Sequence, residues 1–558
     1  MKVDVGSLHN VSFSGIGRAS LEREPSIPYN RTVILAETRA LAREIGKVAV
    51  TARDRTKFCI GLATGSCLDS RHSWFNRLLR GVPIEERHYW IGTLYTLMLP
   101  VKVRRSQATY FTPPSVADAV VDLAIDAGFD LATDRILDPA AGGAAFLSTI
   151  AGRMASAGLD TASCATRLSG IEIDAGLALL SRHLIRERLG APIVGATIST
   201  GDALRVKISD EYGLVIANPP YGRVGRTEVT GDGWRKVAHS GHINKYALFT
   251  ELCFKHARPG GIVALVIPSS FRAGPLYDRM RSFIRSQAEV LAVGSIAGRD
   301  GVFIDVAQDV SVLIARKGKP HNPAAPVKFP EVGPITQTFP AIEQQLPLEA
   351  AEAWPLPAID PSSVGGATLS DYGVQVRSGY FVWNRERDRL VDKLGSGQCG
   401  YPLVWAKNVR PPEFCRPAGK KGLGTDFVTF TEESTAVITA SAAAVMQRTT
   451  NDKQPRRLVV AMVDPAVISK WGGFVSENHT IVLTASDPKT LALAVRLLNT
   501  AAVDQRYRRV SGTAAVSVKL LRQLDLPSRA AFAAALTKND DDAEAAAFAA
   551  YKCLAEVE

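Results

Sequence analysis

The stretch from Leu214 to Tyr221 limits the fold more than any other part of the chain. Leu214, Val215, Ile216 and Ala217 read as a short buried strand, which Asn218-Pro219-Pro220-Tyr221 stops abruptly. An apolar run halted by prolines fits the carboxyl end of a parallel strand, the end at which open α/β sheets bind ligands. Two consecutive prolines fix φ and remove two N–H donors, so the loop is stiff and presents carbonyls. Asn218 adds a side-chain acceptor and Tyr221 a flat aromatic face. Together they suit a planar ring carrying an amino group.

The flanking sequence repeats the pattern of strand followed by turn. Arg135 to Phe146 reads as a strand, a small-residue turn and a helix beginning near Ala145. Small residues let a ligand approach the backbone, and the helix start supplies free N–H groups. Residues 168–174 form a second strand ending in Glu172, and an acid at that place suits a ribose diol. Residues 197–204 form a third strand-like piece with Asp202 near its end, and 262–267, 290–296 and 310–315 read as further strands. The expectation is an α/β unit over 106–317 with a doubly wound, mostly parallel sheet. Between its strands, residues 222–243 are Gly-rich and basic, a loop suited to lie along a phosphate backbone.

At 558 residues the chain suggests two or three domains. Residues 1–105 read as a loose arm followed by helices; 34–45 has a helical period, and Trp90, Leu94 and Leu97 share a face. Ten prolines in 317–366 suggest a linker over 318–366, after which 367–527 reads as a second, mixed α+β unit. The Ala-rich residues 528–558 read as a C-terminal tail or helix.

Composition excludes some classes. No run of about 18 uncharged apolar residues exists, so no membrane span is expected, and the N-terminus lacks a secretory pattern. The seven cysteines are scattered without CxxC spacing and the nine histidines are dispersed, which argues for a reducing, cytoplasmic setting and against a metal site. The net charge of +11 suits a polyanionic partner.

In this order, the motifs resemble the gamma-class N6-adenine DNA methyltransferases of restriction–modification systems, over about Thr109 to Lys317. Tyr110-Phe111-Thr112-Pro113-Pro114 is similar to the family's Tyr-[Tyr/Phe]-Thr-Pro motif, and Asp138 to Phe146 to its Asp-Pro-x-x-Gly-x-Gly-x-Phe loop. Ala144 departs from that loop by standing where the second glycine usually is, which a negative φ would tolerate. The resemblance implies a seven-stranded class I fold that uses S-adenosylmethionine (SAM) and no metal. Its cofactor-binding residues would be Tyr110, Thr112, Pro113, Asp138, Ala140, Gly142, Phe146, Glu172, Ile173, Asp202, Ala203, Asn218 and Pro220.

It further implies that Asn218, Pro219, Pro220 and Tyr221 act on a flipped-out adenine, which Tyr221 and Phe303 would stack upon. Residues 367–527 resemble a target-recognition domain for double-stranded DNA, and a separately encoded endonuclease is the implied companion. Arg223, Arg226, Arg448, Arg457 and Arg508 are the candidate DNA contacts. Asn218 favours adenine over cytosine-N4 chemistry. The alternatives are an rRNA or protein-glutamine methyltransferase with the same motif, a cytosine-N4 enzyme, a non-catalytic DNA-binding subunit and a nuclease fusion.

Overall fold

The computed structural model describes residues 30–48, 51–66, 73–101, 103–104, 111–190, 197–208, 212–229, 231–296, 309–333, 341–349, 352–354, 356–357, 365–421, 424–430, 437–449, 454, 456–511 and 515–552. Tyr110, Phe303 and the expected N-terminal arm lie outside them, apart from Asn30.

Four helices come first: α1 (Arg31–Ile45), α2 (Ala52–Thr64), α3 (Ser73–Arg80) and α4 (Ile84–Leu97). Asn30 caps α1, and Thr51 with Asp54 forms a capping box on α2, so each start satisfies N–H groups that the helix itself leaves unpaired. Ile34, Leu41, Phe75, Trp90 and Leu94 form their own core, which closes onto Leu177, Leu180 and Leu184. The helical region is therefore seated on the α/β unit through the face that Trp90 and Leu94 share.

The α/β unit is built on β1 (Ile136–Asp138), β2 (Leu168–Glu172), β3 (Thr197–Thr200), β4 (Tyr212–Ala217), β5 (Ala257–Pro268), β6 (Ala288–Ile296) and β7 (Val310–Lys317). Their order across the sheet is β3-β2-β1-β4-β5-β7-β6, with β7 antiparallel to both neighbours and the others parallel. Helices α5 (Pro114–Asp126), α6 (Ala145–Ser156), α7 (Ala175–Leu189) and α8 (Lys245–His256) cover it. Every residue of β4 is buried, with one apolar cluster on each face of the sheet. That is why its sequence runs apolar without alternation.

Three strands lie in the stretch expected to be a linker. β8 (Pro326–Phe329) pairs with β6, β9 (Glu331–Val332) adds to β6, and β10 (Ile342–Gln345) pairs with β8, extending the seven expected strands to ten. The prolines misled because Pro326 opens its strand, a place where a missing N–H is tolerated.

The C-terminal unit holds a four-stranded sheet of β11 (Gln375–Ser378), β12 (Ala443–Gln447), β13 (Val460–Met462) and β14 (Thr480–Thr484), in the order β11-β14-β12-β13. Helices α9 (Pro488–Leu498), α10 (Ala501–Val510), α11 (Arg529–Lys538) and α12 (Ala543–Lys552) pack on it. The last two are not a tail, since Phe532, Leu536, Ala546, Ala547 and Tyr551 belong to that core. A face of alanines allows close helix packing while giving almost no hydrophobic period to read. Buried Arg272 ties the two units together: its Nη1 donates to the carbonyls of Trp354 and Arg509, both at 3.3 Å.

Candidate active site

The sheet brings four polar residues to one edge. Parallel neighbours β3, β2, β1 and β4 all end on the same side, which sets Asp202, Glu172, Asp138 and Asn218 around a single region. A cavity of about 640 Å³ opens there. Of the residues expected to bind the cofactor, Ala140, Gly142, Glu172, Ile173, Asp202, Ala203, Asn218 and Pro220 line it.

The loop after β1 is shaped by its acid and its glycines. Asp138 is 1% exposed and accepts from the Ala140 N–H at 3.0 Å, holding the turn from beneath. Burial pushes its pKa up to about 8, with the Glu172 charge adding to the shift. Glu172 receives the Gly142 N–H on Oε2 at 3.0 Å and the Asp174 N–H on Oε1 at 2.8 Å. Burial raises its pKa to about 7 despite those two donors. Asp202 is more open and pairs with Arg205 at 3.4 Å. Ile173 is 59% exposed, an apolar side chain left uncovered on the cavity wall.

Not every expected cofactor residue reaches the cavity. Asp138 and Phe146 lie under the loop in the protein interior, so they support it rather than wall the space. Thr112 and Pro113 are buried at the start of α5 on the helical side, with Thr112 lining a small neighbouring void of about 20 Å³.

Ala144 also departs from expectation. Its φ is +57°, the left-handed region, where a Cβ costs about 1–2 kcal/mol. It holds because its N–H donates to Ala141 and its carbonyl accepts from the Ser148 N–H, starting α6. Ala144→Gly is expected to stabilise the protein by about 0.5–1 kcal/mol, the relief being partly offset by glycine's larger unfolded-state entropy. Urea unfolding checks this.

Sequence reasoning missed one whole wall. Lys245, Leu248, Phe249, Leu252 and Lys255 of α8 line the cavity, their spacing following one face of the helix. Residues 222–243 were expected as a basic loop suited to lie along a phosphate backbone. They instead include a small hairpin, Arg223–Val224 against Ile243–Asn244, and bring Val224, Glu228 and buried Trp234 to the cavity. The apolar period of α8 gave the helix, but nothing in it marked which face would meet the site.

The candidate DNA contacts separate by accessibility. Arg223 is exposed on that hairpin, and the Arg226 side chain lies outside the described residues. Arg448 is half-buried and donates to the Asn478 carbonyl at 3.3 Å. Arg457 is a correction: it is 2% exposed, and its guanidinium pairs with Asp309 at 3.3 Å, binding the C-terminal unit to the approach to β7. Arg508 is likewise engaged, with Asp504 at 2.7 Å. Arg457→Gln is expected to lower the melting temperature while leaving the salt dependence of DNA binding unchanged. A phosphate contact would instead reduce that slope by about 0.9.

Among the described residues no cluster of three or more His, Cys, Asp or Glu is spaced to hold a metal ion, and no helix is long and apolar enough to cross a membrane.

Residues 90–349 match the family described as N-6 DNA methylase. The match ends just after β10, so it takes in the three strands of the proline-rich stretch. The type II methyltransferase M.PstI of Providencia stuartii is 22% identical over 349 residues, covering 58% of this chain and 66% of that relative, just under two thirds of its length. Among solved structures, the type IIL restriction-modification enzyme MmeI in complex with DNA gives a TM-score of 0.49 at 12% identity, covering 84% of this chain and 78% of that one. The type IIG restriction endonuclease BpuSI gives 0.45 at 12% identity, covering 92% and 72%. The match to the family described as N-6 DNA methylase thus spans just under half of this chain.

Proposed function

We propose that this chain is a site-specific DNA methyltransferase that moves a methyl group from SAM to the N6 amine of a flipped-out adenine in double-stranded DNA, as the modification activity of a restriction–modification system. The observation that carries the reading is that Asn218 and Pro220 open onto the same cavity as Glu172 and Asp202.

The donor set fits SAM. Glu172 offers an acceptor for ribose hydroxyls, Asp202 one for the exocyclic amine, and Ile171, Ile173, Ala203 and Phe249 an apolar surface for the adenine ring. When bound, SAM supplies an electrophilic methyl group. The remaining work falls to this chain. Unstacking a base costs a few kcal/mol, which stacking and hydrogen bonds in the pocket must offset. The Asn218 Oδ1 and the Pro219 carbonyl accept the two amine hydrogens and draw the nitrogen lone pair out of ring conjugation. Catalysis is then positioning plus fixed dipoles aimed at the developing positive charge.

Tyr221 serves as a stacking face, with Phe303 as the second. Tyr221 is held edge-on by Tyr246, centroids 6.3 Å apart. The C-terminal unit, 367–527, would read the target sequence, with Arg223, Arg226 and Arg448 as the remaining candidate DNA contacts and a cognate endonuclease encoded separately. The setting is cytoplasmic, at the DNA.

Single-molecule sequencing of DNA from cells expressing the chain tests the reading. N6-methyladenine at one recurrent sequence is expected. Unmodified DNA, with methylation found in ribosomal RNA or at protein glutamine, would contradict it.

A further inference from the structure

The Asn218 carboxamide is held at both ends. Its Nδ2 donates to Thr112 Oγ1 at 3.1 Å, and its Oδ1 accepts from Tyr221 Oη at 2.7 Å. A carbonyl oxygen has two lone pairs and can accept from the target amine as well as from a hydroxyl. The opposite orientation of the amide would turn an NH₂ group toward another NH₂ group, and two donors cannot pair. In the observed orientation the group that accepts from Nδ2 is a threonine distant in sequence, contributed by the helical side of the site.

Thr112 is well placed to do so. It is buried and precedes Pro113 and Pro114, whose rings fix the backbone. The preceding residue, Phe111, packs so closely on the cofactor loop that a Cβ added at Gly143 would fall 2.1 Å from its ring. Thr112 itself lines the small void beside His88 and Ser148, not the large cavity.

Building on the proposed methyltransferase activity, we infer that Thr112 is a positioning residue. Its hydroxyl oxygen anchors Asn218 Nδ2 and so keeps Oδ1 as the acceptor offered to the amine. This differs from the direct cofactor contact that the resemblance implies for Thr112.

The test uses the full chain as wild type, Thr112→Val and Thr112→Ser, with kcat, KM for each substrate and the SAM dissociation constant measured for each. Thr112→Val is expected to lower kcat about tenfold or more at nearly unchanged SAM affinity, because one orienting hydrogen bond is lost. Thr112→Ser keeps the hydroxyl and is expected to restore the rate. If Thr112→Val does not melt cooperatively, Thr112→Ala takes its place with the same expectation. Unchanged kcat, or lost SAM affinity at full kcat, would overturn the inference, as would a serine variant as slow as the valine one. Failure of the wild type itself to methylate adenine would remove the underlying reading as well, and so is distinguishable from failure of the positioning role alone.

Discussion

Asn218→Ala is expected to reduce methyl transfer to adenine by at least about 10²–10³-fold, the range found when a preorganised polar group facing developing charge is removed. SAM binding should change far less, because Glu172 and Asp202 lie at the ends of other strands and the alanine leaves the cavity open to them. Single-turnover rates beside equilibrium binding separate the two effects. A variant that turns over at the wild-type rate would remove Asn218 from the chemistry. The substitution also frees the hydroxyl of Tyr221, which already bonds the Val266 carbonyl at 3.3 Å and so keeps a partner.

Glu172→Gln is expected to weaken SAM binding by about 10–100-fold, corresponding to the 1.5–3 kcal/mol of hydrogen bonds to a charged group. The larger diagnostic is pH. Burial raises the Glu172 pKa to about 7, so below that pH the free pocket holds a neutral carboxyl, and the ribose hydroxyls meet a weaker acceptor. SAM affinity should therefore fall about tenfold per pH unit below pH 7 and level off above it. Stability runs the other way. A folded pKa above the usual carboxylate value means that this group and Asp138 contribute stability that is fully present in acid and lost as pH rises through about 7 and 8. The glutamine variant should lose the binding inflection near pH 7. Isothermal titration across pH 5.5–8.5, with proton release measured by buffer ionisation enthalpy, checks the prediction, and an unaltered pH profile in the variant would refute it.

These expectations rest on features that differ in how readily sequence reveals them. Strand ends that carry an acid or the Asn-Pro-Pro-Tyr turn were legible because a buried strand must be apolar along its length, so one polar residue at its end stands out. Glu172, Asp202 and Asn218 all meet at the cavity for that reason. What stayed hidden depends on contacts between distant residues. The bond from Asn218 to Thr112, the α8 wall and the Arg457–Asp309 pair have no local signature. Arg457 shows the difficulty well, since a basic run suggests solvent and phosphate, yet this guanidinium is buried where it joins two units. The three added strands were missed because they are short and lie in a proline-rich stretch, and pairing with β6 and β8 rather than local propensity fixes them.

The most direct measurement of the central claim is incubation of the purified chain with tritiated SAM and mixed-sequence duplex DNA, then nucleoside analysis, with Asn218→Ala alongside. Label in N6-methyladenine is expected from the wild type and none from the variant. Label in N4-methylcytosine, or no label in DNA by a protein that binds SAM, would contradict it.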